Sequence, residues 1–229
     1  MMRTGEATDL FIQHFSFWPQ LTELQKNQLC KHTQPVHYHK GTNIYHGSMD
    51  CIGVLLVKTG QLRAYTLSED GREVTLYRLF PGDVGILSAS CALRAVTFEV
   101  FIDADEETDV LLTASAVFQE LTEQNIYVKC FGYERASARL SEMLWAMQQI
   151  LFMSADKRLA IFLLQESEKL GQQEIRLTHE QIARYMGSAR EVVSRLLKYF
   201  VQEGMVKSSR GLLTILDRKK LQKLAGDKF

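Results

Sequence analysis

Residues 186–199 of this 229-residue chain read MGSAREVVSRLLKY. Five polar side chains crowd this stretch: Arg190, Glu191, Ser194, Arg195 and Lys198. A guanidinium offers several donors in a rigid fork, which suits a pair of neighbouring acceptors such as those on guanine in the major groove. A carboxylate can accept from the amino group of cytosine, and a hydroxyl serves phosphate or base. On a helix of about 100° per residue, these five side chains fall within about 140° of one another. Val192, Leu196, Phe200, Val193 and Leu197 occupy a separate arc from about 200° to 340°. One face can dock the helix, and the other can present a fixed polar array.

The flanking residues supply the elements needed to hold such a helix. Thr178-His179-Glu180-Gln181 fits a capping box that opens a short helix over 180–186. Gly187 suits its C-terminal cap. Two helices joined by a short turn containing glycine make a helix-turn-helix. Ile175-Arg176-Leu177 reads as a short strand. The run VKSSRGLLTIL gives two strands around Ser208, Ser209, Arg210 and Gly211, a wing with Arg210 at its tip. Asp217 caps a last helix carrying Arg218, Lys219, Lys220 and Lys223. Residues 176–223 hold 11 Lys/Arg against 4 Asp/Glu, a local excess suited to phosphate. Double-stranded DNA is therefore the expected partner. Arg190, Glu191, Ser194 and Arg195 are the expected base readers, with Thr178, His179, Ser188, Lys198 and Arg210 on the backbone. The plainer reading is a solvated helix face in which Glu191 and Arg195 form an ordinary i, i+4 pair.

The rest of the chain has a different texture. Residues 10–33 show helical spacing through Leu10, Phe11, Phe15, Leu21, Leu24 and Leu29. Between 36 and about 115, short β-branched and aromatic runs alternate with turn signals, which points to a sandwich, jelly roll or barrel. Asp70-Gly71 is a hairpin signal. Residues 116–152 contain no proline and read as one long helix. Ile126, Cys130, Tyr133, Ser137, Leu140, Leu144, Met147 and Leu151 recur at steps of four and three, the pattern of a coiled-coil seam and hence of a homodimer. The alternative is an amphipathic helix packed on its own domain. Ser154 is placed to cap a further helix closing near Gly171. The expected fold class is α+β: an N-terminal β jelly roll (double-stranded β-helix) over 1–115, a dimerisation helix over 116–152, and a C-terminal winged helix-turn-helix over 153–229.

Net charge is zero, but residues 1–154 carry 12 Lys/Arg against 18 Asp/Glu and residues 155–229 carry 15 against 9. Such asymmetry suits an acidic body joined to a module that meets a polyanion. No run of about 18 uncharged apolar residues exists, so no membrane span is expected, and the N-terminus lacks an apolar signal core. A cytoplasmic location follows as an expectation. The four cysteines (Cys30, Cys51, Cys91, Cys130) form no C-x2-C pair, and reduced thiols are the simplest reading. Cys91, in a small-residue run, is a redox or ligand candidate beside the reading as a buried thiol. Cys130 could pair with its symmetry mate or stay a buried thiol. His37 and His39 alternate on one strand face with His46 nearby, but no glutamate follows at the spacing of jelly-roll metal sites. They are read as surface or structural histidines, and no metal is expected. The acidic run 103–109 is read as a solvated hairpin turn. No nucleophile–base grouping or phosphate-cradling loop points to catalysis.

The spacing Leu177-Thr178-x4-Ala183-x3-Gly187-x3-Glu191-x2-Ser194-Arg195-x2-Lys198-x5-Gly204 resembles the Crp/Fnr family of bacterial transcription regulators. The order of elements extends the resemblance over almost the whole chain. It implies a homodimer reading palindromic half-sites with a guanine-containing core such as TGA, the two recognition helices about 34 Å apart. Arg190, Glu191 and Arg195 match the reading set of one branch of the family, and Glu191, Ser194 and Arg195 that of another. The resemblance also implies RNA polymerase as a partner and a small effector bound in the roll near Gly82, Asp83, Val84, Gly85, Cys91 and Arg94. The nucleotide-binding members carry a Gly-Glu-x-x-Gly-Glu cassette and then Arg-Ser/Thr-Ala. Here the first part reads Gly82-Asp83-Val84-Gly85-Ile86, and Arg94-Ala95-Val96 matches the second poorly. Without the phosphate-holding arginine, cyclic AMP is disfavoured and the effector is open. The rival reading is a cupin-like metal or small-molecule binding protein or enzyme with a helical interaction tail.

Overall fold

The computed structural model describes residues 4–46, 53–69, 71, 73–86 and 99–226. Two compact units emerge: residues 1–67 with 76–143, and residues 68–75 with 144–229.

The first unit opens with α1 (Thr4–His14), a single 3-10 turn (Trp18–Gln20) and α2 (Glu23–Lys31). The sequence reading of one helical stretch over 10–33 is corrected here. Pro19 sits at the start of the 3-10 turn, and Thr22 then begins α2 through a capping box with Gln25. Among the described residues eight strands follow: β1 (Thr33–Tyr38), β2 (Asn43–Tyr45), β3 (Val54–Thr59), β4 (Leu62–Leu67), β5 (Glu73–Leu79), β6 (Val84–Ile86), β7 (Phe101–Ala104) and β8 (Thr108–Thr113). They form two four-stranded sheets, ordered β1-β8-β3-β6 and β2-β7-β4-β5. This is the expected roll.

The run Val54-Leu55-Leu56-Val57 shows why the strands are so apolar. Val54 and Leu56 join a cluster with Phe11, Phe15, Phe17, Leu29, Phe118 and Phe131. Leu55 and Val57 join another with Ile44, Leu62, Leu79, Ile102 and Val110. Successive side chains in a strand point to opposite faces, so a strand buried on both sides reads as a continuous hydrophobic run. Gly60 opens the turn after β3 at φ +81°, and a Cβ there would meet the Glu107 carbonyl at 2.3 Å. No side chain fits that approach.

The acidic run 103–109 is not the solvated hairpin turn expected: β7 and β8 belong to different sheets, so the run carries the chain from one sheet to the other, and part of it is buried. Arg63 of β4 is fully buried, with its Nε 3.5 Å from Asp105 and its Nη2 3.7 Å from Asp103. Its guanidinium also lies 4.0 Å from the centre of the Tyr65 ring. Asp105 is itself buried and accepts a hydrogen bond from Gln61 Nε2 at 3.1 Å. A charge taken out of water needs partners of this kind, and the sequence reading did not supply the buried arginine.

The single helix expected over 116–152 is two. α3 (Ser115–Gln124) ends at Asn125, whose backbone is extended, and α4 (Ile126–Phe152) starts anew. The Asn125 Oδ1 accepts from the Tyr127 amide at 2.9 Å, a cap that rewards the break. Along α4, Tyr133, Leu140, Leu144, Met147 and Leu151 are 50–61% exposed, and Cys130 and Ser137 are exposed too.

The second unit contains α5 (Ala155–Leu170), β9 (Glu174–Ile175), α6 (His179–Met186), α7 (Arg190–Gln202), β10 (Val206–Ser209), β11 (Leu212–Ile215) and α8 (Arg218–Ala225). Ser154 holds the N-cap position of α5, although its hydroxyl does not bond the helix amides. Instead the Asp156 carboxylate bonds Ser154, which holds that carboxyl below its ordinary range. Gly171 closes the helix in the left-handed conformation. The three strands order as β10-β11-β9, with β9 starting one residue and ending two residues earlier than the sequence suggests.

Breaking the buried ion group should be costly. Asp105→Ala removes one of the two carboxylates that face the buried Arg63 charge and is expected to destabilise the protein by up to about 3–5 kcal/mol, read as a lower urea midpoint.

Candidate nucleic-acid interface

The face is built from α6, its turn and α7. The Thr178 hydroxyl accepts from the Gln181 amide at 3.2 Å, and the Gln181 side chain accepts from the Thr178 amide at 2.9 Å. This is the anticipated capping box, and it starts α6 at a fixed point. Gly187 ends α6 at φ +58° and ψ +43°, its amide donating to the Arg184 carbonyl at 3.3 Å. The Ser188 amide donates to the Ala183 carbonyl at 2.9 Å. The Arg158 guanidinium donates to the Met186 carbonyl, satisfying another group at the helix end.

α7 then lies as its wheel demands. Val193, Leu197 and Phe200 are buried among Leu159, Ile182, Met205, Leu213 and other members of one core, with Leu196 packed against it. Arg190, Glu191, Arg195 and Lys198 are exposed. Ser194 is half-buried, its Oγ 3.0 Å from His179 Nδ1 in a hydrogen bond whose direction follows the histidine tautomer. The Arg190 Nε lies 3.9 Å from Glu180 Oε2, with both side chains more than half exposed. Such a surface pair is weak and can yield its guanidinium to a stronger acceptor. Ser194 and Arg190 are thus both drawn toward the start of α6.

The remaining predicted residues fall around this helix. Ser188 sits in the turn and is half-buried. Arg210 and Gly211 are the two-residue turn between the paired residues Ser209 and Leu212, and Arg210 is exposed at the tip of the wing. The Asp217 carboxylate accepts from the Lys220 amide at 3.0 Å, capping α8 as expected. The structure brings Arg190, Ser194, His179 and Thr178 together at the junction of the two helices. The sequence pattern does not show the bond between the helices: His179, expected at a phosphate, is also hydrogen-bonded to Ser194.

The effector-pocket residues divide. Gly82, at φ +91°, makes a tight turn with Asp83, whose carboxylate accepts from the Phe80 amide at 2.9 Å. Val84 and Gly85 lie buried in β6. Their visible work is to form the turn and strand. Cys91 and Arg94 lie outside the described residues. Among those that are described, no helix is long and apolar enough to cross a membrane.

A β-roll followed by a winged helix-turn-helix with a basic, outward-facing second helix defines an effector-controlled DNA-binding regulator. Comparisons agree with that class. Residues 35–125 match the cyclic nucleotide-binding domain, and residues 157–224 match the Crp-like helix-turn-helix domain. A solved Crp/Fnr-family transcriptional regulator from Eubacterium rectale is 44% identical, covering 94% of this chain and all of that one at a TM-score of 0.84. The CRP-like cAMP-activated global transcriptional regulator of Mycobacterium tuberculosis is 26% identical over 86% of this chain and 90% of its own. The fumarate and nitrate reduction regulatory protein of Vibrio cholerae is 24% identical over 88% of this chain and 82% of its own. The chain belongs to the Crp/Fnr family of transcriptional regulators, a family of regulators rather than enzymes.

Thr178→Ala removes the hydroxyl that caps α6. It should lower stability by about 1 kcal/mol, seen in a urea titration followed by circular dichroism.

Proposed function

We propose that the chain acts as a homodimer reading a palindrome, with Arg190, Glu191, Ser194 and Arg195 contacting base edges in the major groove. The observation that carries this is the division of α7: its apolar side is locked in the core, so its polar side stays exposed in a fixed orientation. Thr178, His179, Ser188, Lys198 and Arg210 serve the phosphates. The Thr178 hydroxyl is engaged in its own cap, so its contribution comes through the positive end of α6 as well. Half-sites contain a guanine in a core such as TGA, as the resemblance to the family implies, and an arginine on this face suits the paired acceptors of that guanine.

The exposed stripe Tyr133, Ser137, Leu140, Leu144, Met147 and Leu151 is the dimer seam in this reading. A row of half-exposed large apolar side chains on one helix is expensive in water and supports burial against a second copy. The domains then divide functionally into a sensing roll over 1–115, a dimerisation segment over 116–152 and a DNA module over 153–229. The effector binds in the roll near residues 82–85 and shifts the dimer between two arrangements about the break at 152–156. The relatives named for cAMP and for fumarate and nitrate differ by only two points of identity, so likeness alone assigns no effector. The departures in the nucleotide cassette argue against cyclic AMP. We place the protein in the cytoplasm, with RNA polymerase as its partner at promoters and no catalytic role.

Arg195→Ala should cost about 1–3 kcal/mol on a cognate duplex and relax preference at one position, measured by titration against half-site variants at fixed salt. Equal weakening on every sequence would remove base reading by that residue. Leu144→Glu should shift the protein toward monomer in sedimentation velocity and weaken binding to a palindrome far more than to a single half-site.

A further inference from the structure

We infer that His37, His39 and Glu107 form a binding site for a divalent transition-metal ion of the zinc type on the rim of the β-roll. The site comes from strand register. β1 runs antiparallel to β8 with His37 opposite Asp109 and Tyr38 opposite Thr108. His39 directly follows β1 and Glu107 directly precedes β8, so both sit just beyond the last pair of the ladder. Residues two apart on a strand share a face, so both imidazoles and both carboxylates emerge on one side.

The donor atoms already converge. Glu107 Oε2 lies 3.0 Å from His37 Nε2 and 3.1 Å from His39 Nδ1. The three donor atoms all lie within 4.8 Å of one another. A tetrahedral zinc ion with bonds of about 2.0–2.1 Å separates its ligands by about 3.3 Å, so small side-chain shifts admit it. Two histidines and a carboxylate are a common ligand set for such an ion, leaving a fourth position to water. All three side chains are exposed, so an entry path exists.

The outer atoms of this group are held as metal ligands are usually held. His37 Nδ1 lies 2.8 Å from Asp109 Oδ1, leaving Nε2 facing the site. The Thr59 hydroxyl donates to Asp109 Oδ2 at 3.1 Å, and the Lys40 amide donates to Glu107 Oε1 at 3.0 Å. A carboxylate behind a histidine fixes the ring and raises its basicity toward a metal. The site belongs to the first unit and does not depend on the reading given to the DNA-reading face.

The test uses the purified full-length protein, stripped of metal and kept reduced. Zinc binding is followed by calorimetry and cobalt(II) binding by visible absorption. The expectation is one equivalent per chain, a cobalt spectrum of nitrogen and oxygen ligation, and at least a tenfold loss of affinity in both His37→Ala and Glu107→Gln. Asp109→Ala should weaken binding by about tenfold while leaving the ion bound, as loss of an outer partner does. Far-ultraviolet circular dichroism checks that each variant folds, and His39→Gln replaces any that does not. Three outcomes overturn the proposal: no binding at micromolar metal, affinity unchanged in the variants, or a cobalt–thiolate band showing that cysteine holds the ion.

Discussion

The burial of one side of α7 is the constraint on which the rest turns. Val193, Leu197 and Phe200 are held by α5, α6 and the wing strands. A helix fixed along one side cannot roll about its axis without emptying that core, and a cavity there costs several kcal/mol. The polar side therefore has a single orientation. Recognition of a base edge needs placement within a fraction of an ångström, and packing supplies that placement more reliably than surface pairs do. The capping box at Thr178 and the left-handed Gly187 do the same work along the chain, because they set where α6 begins and where the turn into α7 starts.

The polar contacts on the exposed side are of another kind. His179 with Ser194 and Glu180 with Arg190 are near-surface interactions that exchange readily. They gather side chains near the junction of the two helices without binding them there. A charged guanidinium that rests beside a carboxylate at 3.9 Å loses little when it turns to a phosphate or a guanine. The face is thus rigid in its backbone and adaptable in its side chains.

Much of this was legible because it is local. A cap three residues from its partner, a glycine after a short helix and a split helical wheel all sit within the 25 residues from Thr178 to Gln202. What escaped involves chain distance or competition. Ile126 to Leu151 keep their period straight through, yet nothing in that period shows that Asn125 divides α3 from α4. The N-terminal segment broke into three pieces because Pro19 and the Thr22 cap outweigh helical spacing. His37 and His39 were seen as a pair on a strand, but the carboxylate that joins them arrives from Glu107, some seventy positions later. Only the antiparallel register of β1 and β8 brings it there, and register between distant strands is not written in either strand alone. The acidic run looked like surface for the same reason: Arg63, the charge it answers, lies on a strand otherwise lined with apolar residues.

That buried guanidinium has a thermal consequence. Ions are hydrated with a large loss of entropy, so the penalty for holding Arg63, Asp103 and Asp105 away from bulk water shrinks on heating. Apolar contacts gain no comparable relief per unit area once the solution is hot. The group therefore weighs most heavily against the roll in the cold and becomes a relatively better anchor as the surroundings warm.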